Sequence, residues 1–214
     1  MTNRTGSVFV TAAWIFCAAV GLLAADIPEP QVTVREHAGT YTVDATFSVP
    51  QPASKALATL TDYEHIPRFM PEVRTSRVLE RDDDRAVVEQ EAVARFMVFS
   101  KSVHLVLEVE QGPAAVRFKD LSGQSFSTYE GAWVFTEREG CTTIKYQLSA
   151  RPSFDVPEVI LKRLLKRDAA RMIERLQREI TARASDAVRR EIPEAVTREG
   201  SARKRFPDLC RDPG

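Results

Sequence analysis

Apolar and polar residues alternate along the first part of the chain. Between Val32 and Val49, Tyr41, Val43, Ala45, Phe47 and Val49 alternate with Thr42, Asp44, Thr46 and Ser48, the period-two signature of a half-buried strand. Pro50 and Pro52 end it. Ser54 stands where it could cap a helix running to Leu60 or Asp62, and a second short helical turn precedes Pro71. Further alternating stretches follow, roughly Val73 to Arg81, Ala86 to Phe96, Ser102 to Glu110, Ala114 to Leu121, Ser127 to Arg138 and Thr142 to Arg151. Turn signals separate them at Asp82-Asp83-Asp84, Ser100-Lys101, Gly112-Pro113, Ser122-Gly123 and Glu139-Gly140. Gaps this short make hairpins, so the pattern predicts seven strands, the last six joined as an antiparallel meander.

The period then changes from two to 3.6. Val159, Ile160, Leu164, Leu165, Met172, Ile173, Leu176 and Ile180 form one apolar stripe, surrounded by Lys162, Arg163, Lys166, Arg167, Arg171, Arg175 and Arg178. Asp155 or Pro157 opens this helix, which is expected to run to about Ala184 and to be roughly 40 Å long at 1.5 Å per residue. Its stripe must be buried, and the sheet face is the apolar surface on offer. Residues 185–214 lack an apolar period and carry Pro193, Gly200, Pro207 and Pro213, which reads as a polar, flexible tail.

At the other end, Val8 to Ala25 carries no charge, follows Arg4 and is met at once by Asp26 and Glu29. Residues 1–25 therefore read as an export signal with its amino end inside, either cleaved or kept as an anchor of about 18 residues, near the minimum span of a bilayer. The expected location is exported: periplasmic in a bacterial cell, or tethered to the inner membrane. Cys141 and Cys210 would then share a compartment where a disulfide persists; two independent thiols are the alternative.

Lys+Arg and Asp+Glu are equal at 30 each, so no global basic field favours nucleic acid, and none is expected as a partner. The nine glycines form neither GxGxxG nor GxxxxGK, so no cofactor is expected. His37, His65 and His104 lie far apart with no HxxxH or CxxC, which leaves a metal site unsupported. The absence of GxSxG removes support for a nucleophilic triad.

A sheet of this many long strands twists and curls around its helix, leaving space that side chains need not fill. Alternation turns inward Val88, Gln90, Ala92, Ala94 and Phe96, then Val103, Leu105, Leu107 and Val109, then Tyr129, Gly131, Trp133 and Phe135, and finally Ile144, Tyr146, Leu148 and Ala150. Ala92, Ala94, Gly131 and Ala150 give up volume where a solid core would use Leu or Ile. The expectation is an apolar pocket with polar tips from Gln90, Tyr129, Tyr146 and Trp133, closed by helix residues such as Leu164 and Met172. The alternative is an interior in which large residues fill the gaps left by small ones.

The order of elements resembles the helix-grip fold of START-like proteins, an α+β arrangement in which a curved antiparallel sheet wraps a long C-terminal helix. Thr61-Asp62-Tyr63-Glu64-His65-Ile66-Pro67-Arg68-Phe69-Met70-Pro71, Ser76-Arg77-Val78-Leu79-Glu80-Arg81, Val88-Glu89-Gln90-Glu91 and Tyr129-Glu130-Gly131-Ala132-Trp133 are similar to the polyketide cyclase/dehydrase and coenzyme Q-binding branch of that superfamily. The resemblance covers about residues 31–184. It implies a hydrophobic ligand, a lipid or quinone, and places Tyr63, Phe69 and Met70 at the pocket mouth. It also implies a rival activity, polyketide cyclisation, for which Arg68, Glu130 and the tyrosines are the candidate groups; a ligand-free interaction module is a third reading. The bases of the last helix are either its solvated face or a surface for anionic lipid headgroups.

Overall fold

The computed structural model describes residues 30–96 and 99–191. Residues 1–25, read above as an export signal, Cys17, Cys210 and the stretch beyond Glu191 lie outside the described residues. In chain order the elements are β1 (Gln31–His37), β2 (Thr40–Val49), α1 (Ala53–Leu60), a 3-10 turn (Tyr63–His65), α2 (Ile66–Phe69), β3 (Val73–Arg81), β4 (Arg85–Phe96), β5 (Phe99–Gln111), β6 (Ala115–Asp120), β7 (Phe126–Arg138), β8 (Cys141–Pro152) and α3 (Glu158–Glu191).

The first strand read from alternation is in fact a hairpin. Ala38 (φ 49°) and Gly39 (φ 80°) both adopt left-handed backbone, as a two-residue type I′ turn demands, and β1 folds back on β2 with Val34 opposite Val43. Period two holds on both sides of the turn, but its phase changes from even positions (Val32, Val34) to odd ones (Tyr41, Val43), and that break is the trace of the reversal. The sheet therefore has eight strands, all antiparallel, in the order β1-β2-β8-β7-β6-β5-β4-β3. The meander predicted for the last six strands is present, and β8 brings the chain back beside β2, with Tyr146 opposite Ala45. Ser100 and Lys101, read as a turn, are ladder residues opposite Arg95 and Ala94. Both are exposed, and a solvated strand end carries polar residues as readily as a turn does.

Two helix boundaries also differ from expectation. Ser54 lies inside the first turn of α1 and does not cap it; the Ala53 N–H instead donates to Glu137 Oε2 on β7 at 2.8 Å. A carboxylate distant in sequence thus serves the helix start. At the other end α3 continues past Ala184 to Glu191, because residues 185–191 contain no glycine or proline to stop it.

α3 packs across β1, β2 and α1. Ile173, Leu176 and Ile180 are fully buried at the centre of this contact, with Val43, Val49, Ala56 and Ile144 in the same core. Each of the buried Val, Leu and Ile side chains contributes about 1.5–3 kcal/mol through the water it leaves behind. Gln177 is buried among them and donates to the Ser48 carbonyl at 3.2 Å. Cys141, at the start of β8, is buried and disulfide-bonded. Among the described residues no helix is long and apolar enough to cross a membrane.

Candidate functional site

Toward the β3–β4 side the sheet curves away from α3, and a cavity of about 350 Å³ opens between them. The concave sheet face supplies Val88, Gln90, Ala92, Ala94, Val103, Leu105, Leu107 and Val109, and β7 and β8 add Tyr129, Trp133, Tyr146, Leu148 and Ala150. A second wall comes from the segment after α1, through Leu60, Tyr63, Ile66, Phe69, Met70 and Glu72. α3 contributes Leu165, Asp168, Ala169, Met172 and Leu176. The alanines on β4 and on α3 leave the space, since a methyl group cannot span the gap a curled sheet opens.

Of the residues nominated from sequence, Tyr63, Phe69, Met70, Gln90, Ala92, Ala94, Leu105, Tyr129, Trp133, Tyr146 and Met172 line this cavity. Gly131 does not. A Cβ there would lie 2.2 Å from the Gln147 carbonyl oxygen and 2.6 Å from Phe118 Cζ, so its missing side chain admits a close strand approach and an aromatic ring instead of creating pocket volume. Leu164 is buried against Tyr41 and Leu161 outside the cavity, and its neighbour Leu165 faces inward. The stripe is wide enough that sequence alone does not choose between adjacent leucines. The Phe96 side chain lies outside the described residues. Phe118, Phe126, Leu165, Glu72 and Asp168 were missed; Phe118 keeps the period of Val116 and was accessible to the same alternation argument.

The far wall is aromatic. Trp133 and Tyr146 lie 4.2 Å apart between ring centroids, Tyr146 stacks on Phe118 at 6.5 Å, Phe118 meets Tyr129 at 5.9 Å, and Phe126 lies 4.9 Å from Tyr129. Such offset and tilted pairs hold one another rigid and present flat apolar faces to a ligand. The Tyr129 and Tyr146 hydroxyls influence each other electrostatically. Burial pushes the Tyr129 hydroxyl up to about 12, with Asp120 adding to the rise, and it raises Tyr146 well above the ordinary phenol value. Both are neutral at any physiological pH. Burial likewise raises Tyr63 to about 12, against the opposing pull of Arg81, whose guanidinium lies 5.7 Å from the ring centre.

The remaining polar wall groups are already partnered. Gln90 donates to Ser76 Oγ at 3.1 Å, and Asp168 accepts from Arg167 Nε at 2.9 Å. Glu72 accepts from Arg175: burial alone would raise its carboxyl, but the Arg175 hydrogen bond and a backbone N–H hold it below the ordinary carboxylate range. Arg68 and Glu130, the two charged candidates for catalysis, are both exposed. Among the described residues no cluster of His, Cys, Asp and Glu is placed to hold a metal.

The wall formed by residues 62–72 is latched to α3 at both ends. Arg183 Nη1 donates to Asp62 Oδ2 at 2.7 Å, its guanidinium lies 5.7 Å from the Phe69 ring centre, and Glu179 Oε1 accepts from its Nε at 2.7 Å. His65 Nδ1 is 2.7 Å from Asp62 Oδ1, so the histidine belongs to this latch. Arg175 and Glu72 form the other end. The basic face of α3 is therefore divided: Lys162, Arg167, Arg175 and Arg183 bond to neighbouring acids, while Arg163, Lys166, Arg171 and Arg178 are exposed.

A family model described as polyketide cyclase / dehydrase and lipid transport matches residues 49–177. Among solved structures, a STAR-related lipid transfer protein from Xanthomonas axonopodis is similar with a TM-score of 0.62 and 16% identity, over 74% of this chain and 97% of that one. The Zhui aromatase/cyclase from a Streptomyces species gives 0.58 and 14%, over 68% and 96%. Human STARD10 gives 0.59 and 10%, over 75% and 76%. At these identities the likeness is one of fold. No curated protein sequence matched the chain.

Proposed function

The chain belongs to the polyketide cyclase/dehydrase and lipid transport family, and from that premise we propose that it binds a lipid or quinone-like molecule in the cavity between its sheet and α3. The carrying observation is a cavity of about 350 Å³ lined mainly by aliphatic and aromatic residues, whose acids, Glu72 and Asp168, already pair with arginines. Affinity then comes chiefly from apolar burial, about 0.8 kcal/mol per methylene. The flat faces of Trp133, Tyr146 and Phe118 favour a ring-bearing ligand. The volume is near the lower end of ordinary ligand cavities, about 300–1,000 Å³; a second acyl chain or a long prenyl tail would have to leave through the mouth. Organic extraction of the protein purified from its native host, followed by mass spectrometry, tests the reading. A stoichiometric lipid or quinone is expected. An empty protein that also fails to bind a hydrophobic dye saturably would refute it.

One observation favours a second reading. The neutral Tyr129 and Tyr146 hydroxyls belong to the wall of an apolar cavity, where a neutral donor can polarise a ketone, as cyclisation of a poly-β-ketone requires. Turnover of such a substrate that is lost in Tyr129→Phe would favour catalysis over carriage.

We further propose that the protein acts outside the cytoplasm. The disulfide at Cys141 supports this, because such bonds persist in oxidising compartments. Cell fractionation with intact-mass measurement checks it; a cytoplasmic protein with reduced cysteines would overturn it. Exposed Arg163, Lys166, Arg171 and Arg178 support docking on an anionic membrane, each contributing about 1 kcal/mol near such a surface. Co-sedimentation with phosphatidylglycerol vesicles but not with phosphatidylcholine vesicles is the expected result; equal binding to both would count against it.

A further inference from the structure

Among the described residues, Tyr63 Oη is the buried side-chain polar atom without a hydrogen-bond partner. The residue is 5% exposed and lines the cavity. Phenylalanine would fill the same space without this defect, since a buried hydroxyl without a partner is destabilising. The hydroxyls of Tyr129 and Tyr146 are not among such atoms. The Arg81 guanidinium lies over the face of the ring, and it is a donor that cannot accept the phenol proton.

We infer that Tyr63 is the polar anchor of the cavity: its O–H donates to an acceptor oxygen on the ligand, so the preferred ligand is an amphiphile carrying a carbonyl, ester or ether oxygen and not a plain hydrocarbon. This rests on the ligand-binding reading above. The hydroxyl is covered in the empty cavity and is presented to the ligand by a small shift of its own segment. That segment is a single 3-10 turn of three residues between two short helices. The inference also accounts for a tyrosine in a wall that is otherwise apolar around it, through Leu60, Ile66, Phe69 and Met70. Local inconsistency of this kind is expected at functional positions.

The test compares two probes with one carbon skeleton, 2-methyl-1,4-naphthoquinone and 2-methylnaphthalene. Each displaces anilinonaphthalene sulfonate from the full chain and from its Tyr63→Phe variant. Wild type is expected to prefer the quinone, and Tyr63→Phe to weaken quinone binding by about three- to tenfold, the worth of one hydrogen bond, while leaving the hydrocarbon unchanged. The melting temperature of the empty variant should stay level or rise, since an unpaired group has been removed; that readout shows the variant is folded. Equal weakening for both probes, or none for the quinone, overturns the role of Tyr63 while leaving the cavity reading intact. Failure of both probes to bind wild type overturns both.

Discussion

Replacing Arg183 by Met keeps an unbranched stem over Phe69 and removes the guanidinium that ties α3 to the cavity wall. Three contacts are lost: Asp62 and Glu179 at 2.7 Å each, and the Phe69 ring at 5.7 Å. The Arg183 and Asp62 side chains are 34% and 29% exposed, so their pair stands between a solvated ion pair and a buried one. After allowance for solvent screening, about 1 kcal/mol is the expected coupling. The pair with Glu179 one helical turn away adds about 0.5 kcal/mol, and the ring contact about 0.5 kcal/mol. Arg183→Met should therefore cost about 2 kcal/mol, a fall in Tm of about 4–8 °C for a chain of this length. A double-mutant cycle with Asp62→Asn isolates the pair. Burial raises the Asp62 carboxyl, but hydrogen bonds from Arg183 and His65 more than reverse the effect and leave it below the ordinary range. A carboxyl lowered in the folded state contributes stability above its unfolded pKa of about 3.9 and loses it as the pH falls through the folded value. The stability gap between wild type and Asp62→Asn should close as the pH falls below about 4. Stopped-flow binding of a hydrophobic dye gives the functional readout, with faster association once the wall is unlatched. Single-mutant effects that add within about 0.3 kcal/mol, together with unchanged dye rates, would refute the latch.

Ala92→Phe places a ring where the β4 methyl now lines the cavity; dye affinity should fall at least about tenfold while Tm holds or rises by a few degrees, as for other cavity-filling changes. Gly131→Ala forces a Cβ to within 2.2 Å of a backbone oxygen, and chemical denaturation should show a loss of about 3 kcal/mol or more. Glu137→Ala uncaps the start of α1 and should cost about 1 kcal/mol, with no change in the dye-binding constant because Glu137 is not a cavity residue.

Most of the secondary structure was legible because it is written locally. The bounds of β3 coincide with the alternating run Val73 to Arg81, and the change of period near Glu158 marks α3. The β1–β2 hairpin was missed because Ala38-Gly39 lacks the usual Asn or Asp, and the only other trace of it is a change in the phase of the alternation, from Val32 and Val34 to Tyr41 and Val43. The cavity residues on β4, β5 and β7 could be named because a strand's side chains must alternate between faces. Gly131 and Leu164 were misjudged for a common reason: what occupies the space in front of a residue is decided by a neighbour from elsewhere in the chain, Phe118 in one case and Tyr41 in the other.

The balance of 30 acidic and 30 basic side chains bears the same lesson. From sequence the bases of α3 formed one undifferentiated stripe. In the folded protein Arg175 and Arg183 meet acids about a hundred residues away and close a cavity wall, while Arg163, Lys166, Arg171 and Arg178 remain in solvent. Periodicity determined that a helix with an apolar stripe must lie against an alternating sheet, since burial depends on the spacing of residues along the chain. Tertiary structure alone decided that the sheet curls away to leave a void, which hydroxyl stays unpaired beside it, and which charges latch it, because each depends on a distance between segments that sequence separation does not constrain.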